Sequence, residues 1–129
     1  MSVWQKGINV QKKNPQGITR IIKAARYSYQ GLKSAIVNEA AFREELLLCL
    51  VFIPLATYLN VTTVERILMI GVLLFVLVVE LLNSAVEAVV DRIGLEHHEL
   101  AGQAKDMGSA AVFIAMGLAI FVWISIIWF

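Results

Sequence analysis

An apolar run from Ile67 to Val79 leads without a break into Glu80-Leu81-Leu82-Asn83-Ser84-Ala85-Val86-Glu87-Ala88-Val89-Val90-Asp91. Two glutamates and an asparagine therefore sit inside a segment that reads as one membrane-crossing helix. At about 100° per residue, with Glu80 at zero, Asn83 falls at roughly −60°, Ser84 at roughly +40°, Glu87 at roughly −20° and Asp91 at roughly +20°. The polar groups share one helix face, and Leu, Val and Ala fill the others. A carboxylate at the centre of a bilayer helix costs about 2.5–3.5 kcal/mol on insertion scales, so such a residue is retained where it faces a bundle interior and acts there. A lone Asn or Ser would be read as glue between helices. Two carboxylates and an amide at this spacing read as a site.

Composition agrees with a bilayer as the solvent. The chain has 129 residues, enough for one domain, and is 59% hydrophobic. Its mean hydropathy of +0.74 is too apolar for a soluble domain of this size. Cys49 is the single cysteine and lies in an apolar run, which excludes an intrachain disulfide and reads as a small hydrophobe. The first 35 residues lack the apolar core of a cleavable signal, so insertion is expected from the internal spans. Nucleic acid is not among the expected partners.

Residues 1–17 are polar and irregular and read as a tail. From Ile18 a helical period begins: Ile18, Ile21, Ile22, Ala25, Tyr29, Leu32 and Ile36 fall on one side, opposite Arg20, Lys23, Arg26 and Lys33. An apolar stripe backed by a basic face predicts a helix over 18–36 lying in the membrane interface, with Gly17 or Thr19 at its start. Three spans follow, at about 40–59, 67–90 and 110–129. The first carries Pro54 internally and Glu39, Arg43, Glu44 and Glu45 at one end. Asn60 to Arg66 reads as a hairpin turn, and Asp91 to Gly108 as a polar connector. The last span has no charge, and its Trp123 and Trp128 suit an aromatic belt. The fold class expected is an all-α membrane protein.

Orientation follows from Lys and Arg. With the N-terminus cytoplasmic, ten of the eleven basic residues lie inside and only Arg66 lies outside. Glu39, Glu87, Asp91 and 96–106 then gather at the cytoplasmic interface, with Glu80 about 10 Å deeper than Glu87. Glu39 and Glu87 are hard oxygen donors of the kind Mg²⁺ takes together with substrate phosphates. Lys105 and Arg20 are cations that a polyphosphate needs. No Walker A or G-x-G-x-x-G sequence is present. His97-His98 with Glu99 is a weak zinc motif. A glutamate at the depth of a lipid hydroxyl, below a water-facing cluster, has the arrangement phosphoryl transfer asks for.

Four segments resemble the small bacterial integral-membrane diacylglycerol kinases: 18–25 (Ile-Thr-Arg-Ile-Ile-Lys-Ala-Ala), 38–43 (Asn-Glu-Ala-Ala-Phe-Arg), 80–94 from Glu80 to Gly94, and 105–112 from Lys105 to Val112. The resemblance runs from Gly17 to Phe129. It implies a helical-bundle homotrimer in the bacterial inner membrane, with composite sites shared between chains and a periplasmic C-terminus. It implies transfer of phosphate from ATP to 1,2-diacylglycerol, giving phosphatidic acid. Glu80 would accept the proton, with Asn83, Lys105 and Asp106 beside it in the catalytic group and Glu39 and Glu87 on Mg²⁺. ATP would meet Arg20, Tyr27, Glu39 and Glu87, and also Glu96, His97, His98, Lys105 and Asp106. The lipid would meet Arg20, Ala24, Ala25, Arg26, Tyr27, Ser28 and Tyr29. Further along it would meet Lys33, Ser34, Ala35 and Ile36, then Ala41, Phe42, Arg43, Glu44 and Glu45, and finally Glu80 and Ser109. Arg26, Tyr29 and His97 stand where the family usually has glycine, tryptophan and tyrosine. The related undecaprenol kinases share the Glu-Asn-Glu helix but match the 105–110 segment less well.

Two other classes compete. An ion or proton translocator would use intramembrane carboxylates, but it should carry polar groups across the whole membrane, and here they stop near Glu80. A structural membrane peptide would leave Lys105-Asp106 without a purpose.

Overall fold

A computed structural model describes residues 16–94 and 98–129. Expectations placed on residues 1–15, Glu96 and His97 lie outside the described residues. Four helices are present: α1 Ile18–Asn38, α2 Ala40–Tyr58, α3 Thr63–Ile93 and α4 Glu99–Trp128. No strand occurs among the described residues. The chain divides into two compact units, 1–33 and 34–129, and α1 begins in the first and ends in the second.

In the first unit Gly17 takes φ +66°, a left-handed conformation suited to glycine, and its carbonyl accepts from the Ile21 amide at 3.3 Å to open α1. Ile18, Ile21, Ile22 and Tyr29 are exposed.

The second unit is a helix bundle. At its start α1 and α2 meet at Glu39, whose extended backbone (φ −115°, ψ 107°) breaks the helix. The last carbonyls of a helix lack intrahelical donors. The Arg43 guanidinium supplies them, donating to Ile36 O at 2.8 Å and Val37 O at 3.0 Å. Arg43 thus fastens the corner from which Glu39 projects.

Sequence reasoning read Asn60 to Arg66 as a turn, whereas α3 already begins at Thr63. Thr62 and Glu65 form a capping box: Thr62 Oγ1 accepts from the Glu65 amide at 3.2 Å and Glu65 Oε1 from the Thr62 amide at 2.9 Å. Such a cap contributes about 0.5–2 kcal/mol. Arg66 donates to Ala56 O and Leu59 O, each at 3.0 Å, and so closes the C-terminus of α2. Arg66 is therefore engaged with the hairpin.

The connector is also shorter than expected. α3 runs on to Ile93, and α4 starts at Glu99 with His98 as its N-cap, its Nδ1 accepting from the Leu100 amide at 3.1 Å. Lys105, Asp106 and Gly108 accordingly stand on a helix rather than on a loop.

Helices α3 and α4 pack through Val72, Val76, Ala115 and Ala119. The two alanines, one turn apart on α4, let the backbones approach closely, as small residues do between membrane helices. Trp123 departs from its expected place in an aromatic belt. Its indole turns inward, donates to Met69 O at 3.0 Å and meets Phe52 edge-on at 5.3 Å. Trp128 is 77% exposed and remains free for an interface.

Helices α3 and α4 are each long and apolar enough to cross a membrane. At about 1.5 Å per residue, a helix of their length exceeds the roughly 30 Å hydrocarbon core by several turns. α2 has 19 residues and holds Arg43, Glu44 and Glu45 within its first two turns, so by composition alone it is not an apolar span.

Candidate active site

Glu80 lies in the interior of the second unit, with only 5% of its surface exposed. It is reached from α2 by Glu45, which is 8% exposed. The two carboxyl groups are neighbours, and each acts on the other. Sequence reasoning set Glu45 among the lipid contacts at a helix end. The structure buries it against Glu80, because the α2–α3 pairing brings Glu45 opposite Glu80. One Glu45 oxygen, Oε2, is buried without a partner.

Asn83 follows Glu80 on the same face of α3, and its side-chain amide is within reach of the Glu80 carboxyl. The Asn83 Oδ1 is buried and unpartnered, as is Ser84 Oγ. Buried polar atoms without partners are uncommon in native proteins and call for an explanation, such as a functional role. One turn further, Glu87 is half-buried, and its charge acts on Glu80, as does that of Glu39 to a smaller extent. The polar face read from the sequence is therefore a real feature of the bundle, and Glu39 joins it from the α1–α2 corner.

At the water end of this face Asp91 and Lys105 form an ion pair, Oδ1 to Nζ 2.7 Å. Both side chains are about half exposed, so the pair adds little stability by itself. Lys105 precedes the uncharged span 110–129. The hydrogen bond that Lys105 donates to Asp91, and then the Asp91 charge, hold the Lys105 ammonium above the usual lysine range. A cation held by Asp91 thus stands at the exposed end of the face. The sequence placed Asp91 on the polar face but gave it no role, since its partner is fourteen positions away across the inter-helix connection.

The other expected residues fall in three groups. Arg20, Ala24, Ala25, Arg26, Tyr27, Ser28, Tyr29 and Lys33 are exposed on α1 in the first unit. Ser34, Ile36, Ala41, Arg43 and Glu44 are exposed in the second, as are His98, Asp106 and Ser109. Ala35 and Phe42 are buried and act as packing. An apolar cleft of about 330 Å³ lies between α2, α3 and α4, lined by Leu48, Phe52, Leu73, Met116 and Ile120 among others, with Glu45 as its one charged residue. Among the described residues no three His, Cys, Asp or Glu side chains converge as a metal cage.

Comparison with known proteins bears on this arrangement. The family model for prokaryotic diacylglycerol kinase matches residues 26–127. The diacylglycerol kinase of Escherichia coli (strain K12) is 54% identical over 115 residues, covering 89% of this chain and 94% of that protein. That of Haemophilus influenzae is 56% identical over 113 residues, covering 88% and 96%. That of Pseudomonas aeruginosa is 50% identical over 115 residues, covering 89% and 94%.

Proposed function

The chain belongs to the prokaryotic diacylglycerol kinase family, and from that premise we propose that it transfers the γ-phosphoryl group of ATP to the free hydroxyl of 1,2-diacylglycerol, giving phosphatidic acid. The observation that carries this reading is the buried Glu80, with Asn83 beside it, at the inner end of a polar face that leads out to the Asp91–Lys105 pair. A lipid hydroxyl reaches such a site from the bilayer, and a nucleotide reaches it from water.

Phosphoryl transfer asks a protein for positioning and charge rather than covalent chemistry. Glu80 accepts the hydroxyl proton as the new O–P bond forms and the bond to the leaving ADP oxygen breaks. Asn83 presents its amide to Glu80 and orients the carboxylate. Lys105, with Asp106 beside it, meets the nucleotide phosphates as a point charge. Arg20, Tyr27, Glu96, His97 and His98 are the further residues that the resemblance to the family assigns to the nucleotide. Glu39 and Glu87 are the hard carboxylate donors that would hold Mg²⁺. Two such ligands fit an ion that draws its remaining oxygens from water and substrate phosphates. When bound, the ion neutralises charge developing on the transferred group. The cleft beside Glu45 supplies the apolar lining that an acyl chain of the lipid needs.

α2 serves as the third span. Its 19 residues reach about 28 Å, and its charges sit at the cytoplasmic end. The N-terminus is cytoplasmic and the C-terminus periplasmic, in the bacterial inner membrane, on the distribution of basic residues. The chain acts as a homotrimer with sites shared between neighbours. The exposed Leu74, Phe75, Phe113 and Phe121 support this, since they offer apolar faces to lipid and to further helices.

Diacylglycerol and undecaprenol, offered separately in mixed micelles with Mg-ATP, test the choice of lipid. Faster turnover of diacylglycerol is expected, and preference for the polyprenol would reassign the substrate. Lys105→Ala is expected to raise the KM for ATP by about tenfold, the lower range for a hydrogen bond to a charged group, while the KM for lipid stays within twofold. A rise confined to the lipid KM would remove Lys105 from the nucleotide site.

A further inference from the structure

Gly108 on α4 stands directly against Asn83 on α3. A Cβ added at Gly108 would overlap Asn83 Oδ1, and would lie 3.2 Å from Asn83 Cγ and 3.9 Å from Asn83 Cα. By contrast, Gly31, Gly71, Gly102 and Gly117 each have open space at the same point. Glycine is a poor helix former, so its presence inside α4 calls for a local reason. Here the reason is the volume that the Asn83 side chain occupies.

We propose that Gly108 is a positioning residue for the phosphoryl-transfer reaction: its missing side chain is the seat that holds the Asn83 amide against Glu80. This rests on the reading of Glu80 as proton acceptor. Asn83 Oδ1 is buried and has no donor, so no hydrogen bond fixes that end of the amide. Contact with Gly108 is what fixes it. The same side chain lies beside Glu80. A methyl group at 108 would take the place of Asn83 Oδ1, so the Asn83 side chain must rotate away and its amide leaves the carboxylate. Loss of alignment at a reacting centre costs up to about 10²-fold in rate.

The test is a double-mutant cycle on the full-length protein in mixed micelles, with Gly108→Ala, Asn83→Ala and both together, reading kcat, both KM values and the thermal midpoint. Gly108→Ala is expected to lower kcat by about tenfold or more, with both KM values within twofold, and to lower the thermal midpoint although alanine is the better helix former. In the Asn83→Ala background, where the seat is empty, the same change is expected to leave kcat unaltered and to raise the midpoint. Gly108→Ala with a kcat within twofold of the parent would overturn the proposal. So would an equal loss of kcat in both backgrounds, which would mark a general packing defect. If Gly108→Ala alone does not fold, the double variant is expected to fold, and its failure would also overturn the proposal. A parent without lipid kinase activity would instead defeat the functional reading, and the midpoint cycle would still decide whether Gly108 seats Asn83.

Discussion

Glu80→Gln is expected to lower kcat by about 10²–10⁴-fold, the range of a positioned general base, with the fold intact. Glutamine has nearly the size of glutamate and removes a buried charge from a bilayer helix, so insertion does not suffer. The structure adds a reason for tolerance. Glu80 faces Glu45, one of whose oxygens is buried without a partner, and a glutamine amide at 80 can donate to it. What the amide cannot do is take the hydroxyl proton as oxygen attacks phosphorus. The measurement is kcat at saturating Mg-ATP and lipid, beside helix content and oligomer size. A Glu80→Gln protein that is folded and within a few-fold of the parent rate would show that Glu80 is structural.

Removal of divalent ions is expected to abolish turnover, and Glu39→Gln and Glu87→Gln are each expected to raise the Mg²⁺ concentration for half-maximal rate. Changes in the outer shell of a metal site alone cost roughly 10–100-fold in affinity, so loss of a direct carboxylate should shift the requirement by at least that much. The structure brings both charges to bear on Glu80, Glu87 more strongly than Glu39. Glu87→Gln is therefore the more informative of the two, since it also alters the field at the proton acceptor. A titration of rate against Mg²⁺ decides the matter. Unchanged Mg²⁺ dependence in both variants would take these residues out of the metal site.

How much of this was legible without coordinates differs along the chain. The Glu80–Asn83–Glu87 face follows from the helical period alone, and the structure places these groups on one side of α3. The partnership of Glu80 with Glu45 was hidden, because it depends on the register between α2 and α3, which no period within either helix encodes. The start of α3 was written in the sequence as Thr62-x-x-Glu65, but the polar residues up to Arg66 read equally as a turn. Gly102, Lys105-Asp106 and Gly108 resemble a loop in composition, yet α4 runs through all of them. Gly108 stands against Asn83 there, with Lys105 half-buried and Asp106 exposed on the same helix. Trp123 was placed at an interface by its position near the end of the last span, and only packing against Met69 and Phe52 shows that it turns inward.

The most direct measurement follows the label from γ-labelled ATP in mixed micelles of the purified protein, 1,2-diacylglycerol and Mg²⁺. Label is expected in the lipid phase as a phosphate monoester on the glycerol hydroxyl, rising in proportion to protein and disappearing when that hydroxyl is methylated. Label that stays in ATP, or leaves it only as inorganic phosphate, would contradict the assignment of lipid phosphorylation to this site.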